Sequence, residues 1–194
     1  MEERLKESFI NLKNRIWKTY KSRINSAERL EKNNNFVAFL SIYYSAVLAA
    51  VSILNYVNKN SNMDVCNIVL SVMVTILFLY FDGRNFKERY INMKKNYNEL
   101  NLLYYKVESD IEINNINQEH FEELTQKYTD LLGNVENHSK KDYIKYALND
   151  KEIQIGCIDK VMYYLGEIGV FLLKGFVFMI PTTFLAISFI ELFL

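Results

Sequence analysis

The apolar run Val65–Phe81 carries polar side chains at four-residue spacing: Asn67, Ser71 and Thr75. On a helix that spacing places them on one face, bracketed by Asp64 and Asp82. Within a membrane, such a face either hydrogen-bonds to a neighbouring helix or lines a path open to water and ions. An earlier apolar run, Phe36–Val57, has Ser41, Ser45 and Ala49 at the same spacing, and small residues let helices approach closely. Packing within a hairpin is the plainer reading of both faces. A water-accessible pathway is the sharper one, and it requires several chains because a lone hairpin encloses no pore.

No other constellation suggests chemistry. His120 and His138 are far apart in sequence, and no HExxH, phosphate-binding glycine loop, GxSxG elbow or dinucleotide fingerprint is present. His138 lies in the polar, turn-like stretch Glu136-Asn137-His138, where a capping or interhelix hydrogen-bonding role is expected. Cys66 and Cys157 fall in different regions and form no CxxC. The chain is therefore read as a non-enzyme, with no cofactor and no metal.

The elements that position these residues follow from hydrophobic patterning. Neither apolar run contains a charge, and only Asn58–Asp64 separates them. As helices they would cover about 33 Å and about 25 Å, against a hydrocarbon core of about 30 Å. Lipid offers no partner for backbone polar groups, so helix is the expected state and the pair reads as a transmembrane hairpin. No signal peptide is visible, and the first run is expected to remain as an anchor. Lys18, Lys21, Arg23, Arg29 and Lys32 precede the hairpin, Arg84, Lys87, Arg89, Lys94 and Lys95 follow it, and the connecting loop has Lys59 offset by Asp64. This bias predicts a cytosolic N-terminus, and with the apolar spans a bacterial inner-membrane location.

The fold expected is all-α: an amphipathic cytosolic helix at 1–35, the hairpin at 36–82, a cytosolic helical region at 83–174 and a hydrophobic segment at 175–194. That last segment is read as a third span, with Glu191 near the outer interface, and alternatively as a re-entrant or interfacial helix. Leu5, Phe9, Leu12, Ile16, Tyr20, Ile24, Ala27 and Leu30 recur at helical spacing, and basic residues outnumber acidic ones nine to five over 1–32. Asn33–Asn35 is expected to break or bend that path. The second span is expected to run on as a helix whose stripe from Phe86 to Val107 could face the N-terminal one. Helices are expected from Gln118 to a stop at Gly133, and from a Ser139/Asp142 start. The basic N-terminal helix lacks a nucleic-acid reader fold, so no direct nucleic-acid binding is expected. Membrane lipid and a homo-oligomer are the expected partners.

Several short motifs resemble the SLATT domains, most closely family 5. They are Arg15 to Arg23 (containing Trp17 and Tyr20), Glu28-Arg29-Leu30, Asn85 to Arg89, Glu136-Asn137-His138 and Asp142-Tyr143, and the resemblance covers roughly residues 5–150. It makes Trp17, Tyr20, Arg23, Arg29, Glu136, Asn137, His138 and Asp142 candidate cytosolic signature residues. It implies a two-span effector of a prokaryotic anti-phage system acting by abortive infection. It further implies oligomerisation into a pore that depolarises the cell, triggered by a nucleotide second messenger or a partner such as a neighbouring nucleotidyltransferase or reverse transcriptase. The alternative is a non-conducting membrane scaffold that recruits a soluble defence enzyme.

Overall fold

The computed structural model describes residues 2–58, 61–150 and 153–190. Among these the chain is all-helical, in the order α1 (Glu2–Asn58), α2 (Ser61–Asp82), α3 (Phe86–Glu112), α4 (Gln118–Gly133), α5 (Lys140–Asn149) and α6 (Cys157–Ile190). The protein is an all-α membrane protein, with α1, α2 and α6 each containing a stretch long and apolar enough to cross a bilayer. Lys59 and Glu191, which entered the reading of loop charge and of the outer interface, lie outside the described residues.

Three local features depart from the sequence reading. Asn33–Asn35 does not interrupt α1, which is helical throughout; asparagine disfavours helix interiors by only about 0.7 kcal/mol, too little to end a helix anchored on both sides. The second span does not run on without a break. Gly83, Arg84 and Asn85 form a turn closed by amide bonds to Leu79, Phe81 and Asp82, and Asn85 takes φ 49°. Asparagine tolerates that left-handed geometry better than most residues. Third, the segment from Gly175 is the later part of a helix that begins at Cys157 and contains Pro181.

The chain divides into two compact units, Met1–Glu31 with Lys87–Tyr163, and Lys32–Phe86 with Tyr164–Leu194. In the first, Phe9, Leu12 and Ile16 of α1 meet Leu100, Leu103 and Val107 of α3 and Leu124, Tyr128 and Leu131 of α4. The α1 and α3 stripes thus face one another as their periodicity predicts. Capping explains the shorter helices. Asn117 accepts from the His120 amide at the start of α4, and α4 ends at Gly133 as expected. Ser139 and Asp142 form a reciprocal capping box on α5, two early amides satisfied by one pair of side chains.

In the second unit the seam between α1 and α2 is mainly apolar. Leu40 and Tyr44 pack with Val74, flanked by Leu48, Leu70 and Phe78, with Val177 and Phe178 of α6 against them. The outward faces are apolar too: Ile68, Val72 and Ile76 on α2 and Phe171, Leu172 and Phe176 on α6 are exposed. So much uncovered apolar surface is stable only in lipid or against another protein.

Candidate functional site

There are two candidate sites, one in each unit. The first is the loop between α4 and α5, held by three arginines. Arg23 is fully buried on α1. Its guanidinium donates to the carbonyls of Leu131 at 2.9 Å and Leu132 at 3.2 Å, and to Asn96 Oδ1. Those carbonyls belong to the last turn of α4, which lacks intrahelical partners and carries the negative end of the helix dipole. Asn96 Nδ2 donates to the same Leu131 carbonyl at 2.8 Å. Arg23 therefore terminates α4 by hydrogen bonds and charge, although burial holds its pKa below the usual range.

Arg29, six residues on, acts at the other side of the loop. Its Nε and Nη2 each lie 2.9 Å from one carboxylate oxygen of Asp142, a forked ion pair. The same carboxylate accepts from the Ser139 amide at 2.9 Å and hydroxyl at 2.8 Å, while Asn25 Nδ2 donates to the Asp142 carbonyl. Burial raises the Asp142 pKa, but the bonds from Arg29 and Ser139 outweigh it and leave the carboxyl below the usual carboxylate range. The bond to Asp142 raises the Arg29 pKa. Arg89 of α3 completes the clamp by gripping both Glu136 oxygens, as close as 2.8 Å. His138 sits within this ring, its Nδ1 buried and without a hydrogen-bond partner among the described residues. Burial, with Arg23 beside it, lowers its pKa.

Of the signature residues read from sequence, Arg23, Arg29, Glu136, His138 and Asp142 are thus brought to one loop. Asn137 lies exposed on it. Trp17 and Tyr20 sit elsewhere on α1, their tilted rings 5.5 Å apart, with Lys21 over the indole ring. Asn96 was not anticipated, yet its signal was in the α3 stripe: it shares the buried face of Met93 and Leu100. His120 is held between Asp110 at 2.8 Å and Glu123 at 3.3 Å. Those carboxylates bind opposite ring nitrogens and converge on no common point. Among the described residues no group of three or more His, Cys, Asp or Glu could hold a metal ion.

The second candidate is the polar face of the hairpin. Asn67 is buried and its Nδ2 donates to Ser52 Oγ at 2.6 Å, tying α2 to α1. Ser71 is half-buried and Thr75 exposed, their hydroxyls returned to the carbonyls of Ile68 and Ser71. On α1, Ser41 is half-buried, while Ser45 and Ala49 are exposed and Ser45 bonds back to the Ser41 carbonyl. The small residues therefore make little of the hairpin seam, which Leu40, Tyr44 and Val74 fill instead. Ser52, Asn55 and Ser188 were not anticipated. Asn55 Nδ2, Asn67 Oδ1 and Ser188 Oγ are buried and have no hydrogen-bond partner among the described residues.

No curated protein and no solved structure matched the chain. The family model for SMODS and SLOG-associating 2TM effector domain family 5 matches residues 5–187, further than the motifs alone reach, so most of α6 lies inside the family's domain. From the order of its arginine-clamped loop and apolar helices, and from that match over nearly its whole length, the chain belongs to SMODS and SLOG-associating 2TM effector domain family 5.

Proposed function

We propose that this membrane effector oligomerises in the inner membrane of a bacterium, with its N-terminus cytosolic, and opens a conducting path that depolarises the cell during phage infection. One observation carries the reading. The α1–α2 seam is filled by Leu40, Tyr44 and Val74, leaving Ser45, Ala49 and Thr75 exposed on the hairpin. Small and hydroxylated residues gain from contact with another helix more than from contact with lipid, so these faces suit a second copy of the chain. Ser71 and Thr75 then border the shared axis, with Asn67 held behind them by its bond to Ser52.

In this mechanism the clamped loop is the latch. Arg23 and Arg29 hold the facing ends of α4 and α5, and Arg89 holds the loop between them, in the resting arrangement. A nucleotide signal or a partner protein shifts the population only if it binds the released arrangement more tightly. The double variant Ser71→Leu/Thr75→Leu tests the lining assignment through membrane potential in phage-challenged cells. Expected is loss of depolarisation with membrane insertion intact. Unchanged depolarisation overturns the lining, and an undisturbed potential alongside full protection from phage favours a scaffold that recruits a soluble enzyme.

A further inference from the structure

The membrane unit contains a crevice of 390 Å³ between α1, α2 and α6. Its walls are apolar, with Phe36, Leu40, Leu77, Phe78 and Val177 among them, and its polar lining includes Asn33 and Lys174. On α1 the wall runs from Asn33 to Tyr44, a rise of about 16 Å. One leaflet contributes about 15 Å of hydrocarbon. Lys174 Nζ lies 4.6 Å from the Phe36 ring centre, near the Asn33 end of that wall. Among the described residues it forms no ion pair.

The geometry points to a binding site for one anionic phospholipid, with an acyl chain in the crevice and its phosphate at Lys174. An apolar cavity open to a bilayer has hydrocarbon as its solvent, and its length here matches one leaflet. What makes the site selective is the single ammonium at its mouth. Lysine stems lie along apolar surface while the charged head reaches the interface, and the resting place of Lys174 against Phe36 fits that habit. Charge complementarity therefore selects the headgroup, and the aromatic and aliphatic walls hold the tail. This assignment is independent of conduction, because it requires only that the unit lie in a bilayer.

The full-length chain in nanodiscs of equimolar phosphatidylglycerol and phosphatidylcholine, released into mild detergent, gives the retained lipid by native mass spectrometry. Expected is about one lipid per chain, with phosphatidylglycerol favoured about five-fold, the worth of one lysine contact near an anionic surface. Leu77→Trp, which fills the crevice, should lose the lipid. Lys174→Gln should keep a lipid and lose the preference, and its single polar replacement at a half-buried position leaves the apolar walls intact. Wild-type retention by Leu77→Trp overturns the site. So do equal amounts of the two lipids on the wild-type chain, or a lipid-free dimer whose second copy fills the crevice.

Discussion

At the scale of single residues, the loop between α4 and α5 is a set of matched charges whose loss is asymmetric. Arg29 is one-third exposed, whereas the Asp142 side chain is only 3 % exposed. Removing Arg29 therefore strands a buried carboxylate, while removing both partners strands neither. A double-mutant cycle with Arg29→Met and Asp142→Asn should show coupling of about 1–3 kcal/mol in thermal or denaturant unfolding; additive single effects would mean the fork is ornamental. His138 supplies a separate signature. Its folded-state pKa is lowered by burial and by Arg23, so the folded protein favours the neutral ring. That contribution is complete above the ordinary histidine pKa of about 6.5 and is lost as pH falls through the lower folded value. Asp142, also lowered, begins to lose its contribution only as pH falls into the ordinary carboxylate range, well below where the His138 loss begins. His138→Gln should flatten the fall of the unfolding midpoint as pH drops below about 6.5, and an unchanged slope there would place the titration elsewhere.

Among the elements, α6 contains a proline that its neighbour compensates. Pro181 has no amide hydrogen, so the carbonyl four residues back, Val177, loses its helical donor. The Tyr44 hydroxyl donates to that carbonyl at 2.9 Å. In lipid an orphaned carbonyl is expensive, and Tyr44→Phe should cost about 1–3 kcal/mol. Pro181→Ala restores the amide, so in that background Tyr44→Phe should cost far less. Equal losses in both backgrounds would refute the pairing. The turn after α2 offers a second test. Asn85→Gly should be neutral or stabilising at φ 49°, whereas Asn85→Val should cost about 1–2 kcal/mol, read from unfolding in detergent. These cases also mark what the sequence could disclose. Apolar periodicity places the α1 and α3 stripes, and Ser139/Asp142 announces the α5 cap, because both signals are local. The destination of Arg23, the pairing of Arg89 with Glu136 and the Tyr44–Val177 bond join residues tens of positions apart, so no local pattern encodes them. The hairpin seam is legible only in part, at Asn67, which bonds across to Ser52, and for a related reason. Small residues license close approach without requiring it, and the Leu40–Tyr44–Val74 row buries more apolar surface.

For the whole molecule, the decisive quantity is the number of crossings. The family description speaks of two transmembrane segments, whereas α1, α2 and α6 are each long and apolar enough to span. The length of α6, 34 residues, corresponds to about 51 Å, more than the hydrocarbon core needs. Its charged residues, Asp159, Lys160, Glu167 and Lys174, reach no further than its midpoint, and from Gly175 to Ile190 there is no charge. That asymmetry predicts a helix that enters the bilayer at Lys174 and crosses, with the part before it at or below the interface. Three crossings put the two chain ends on opposite sides, and two put them on the same side. An alkaline phosphatase fused after Leu194 is active only outside the cytoplasmic membrane, and exposed Cys157 reports the other end of α6. Expected are an active fusion and a Cys157 that an impermeant maleimide reaches only after permeabilisation. An inactive fusion with the same cysteine result would make α6 an interfacial or re-entrant helix. The hairpin alone would then carry any conduction, and the crevice beside Lys174 would open along the membrane surface instead of into one leaflet.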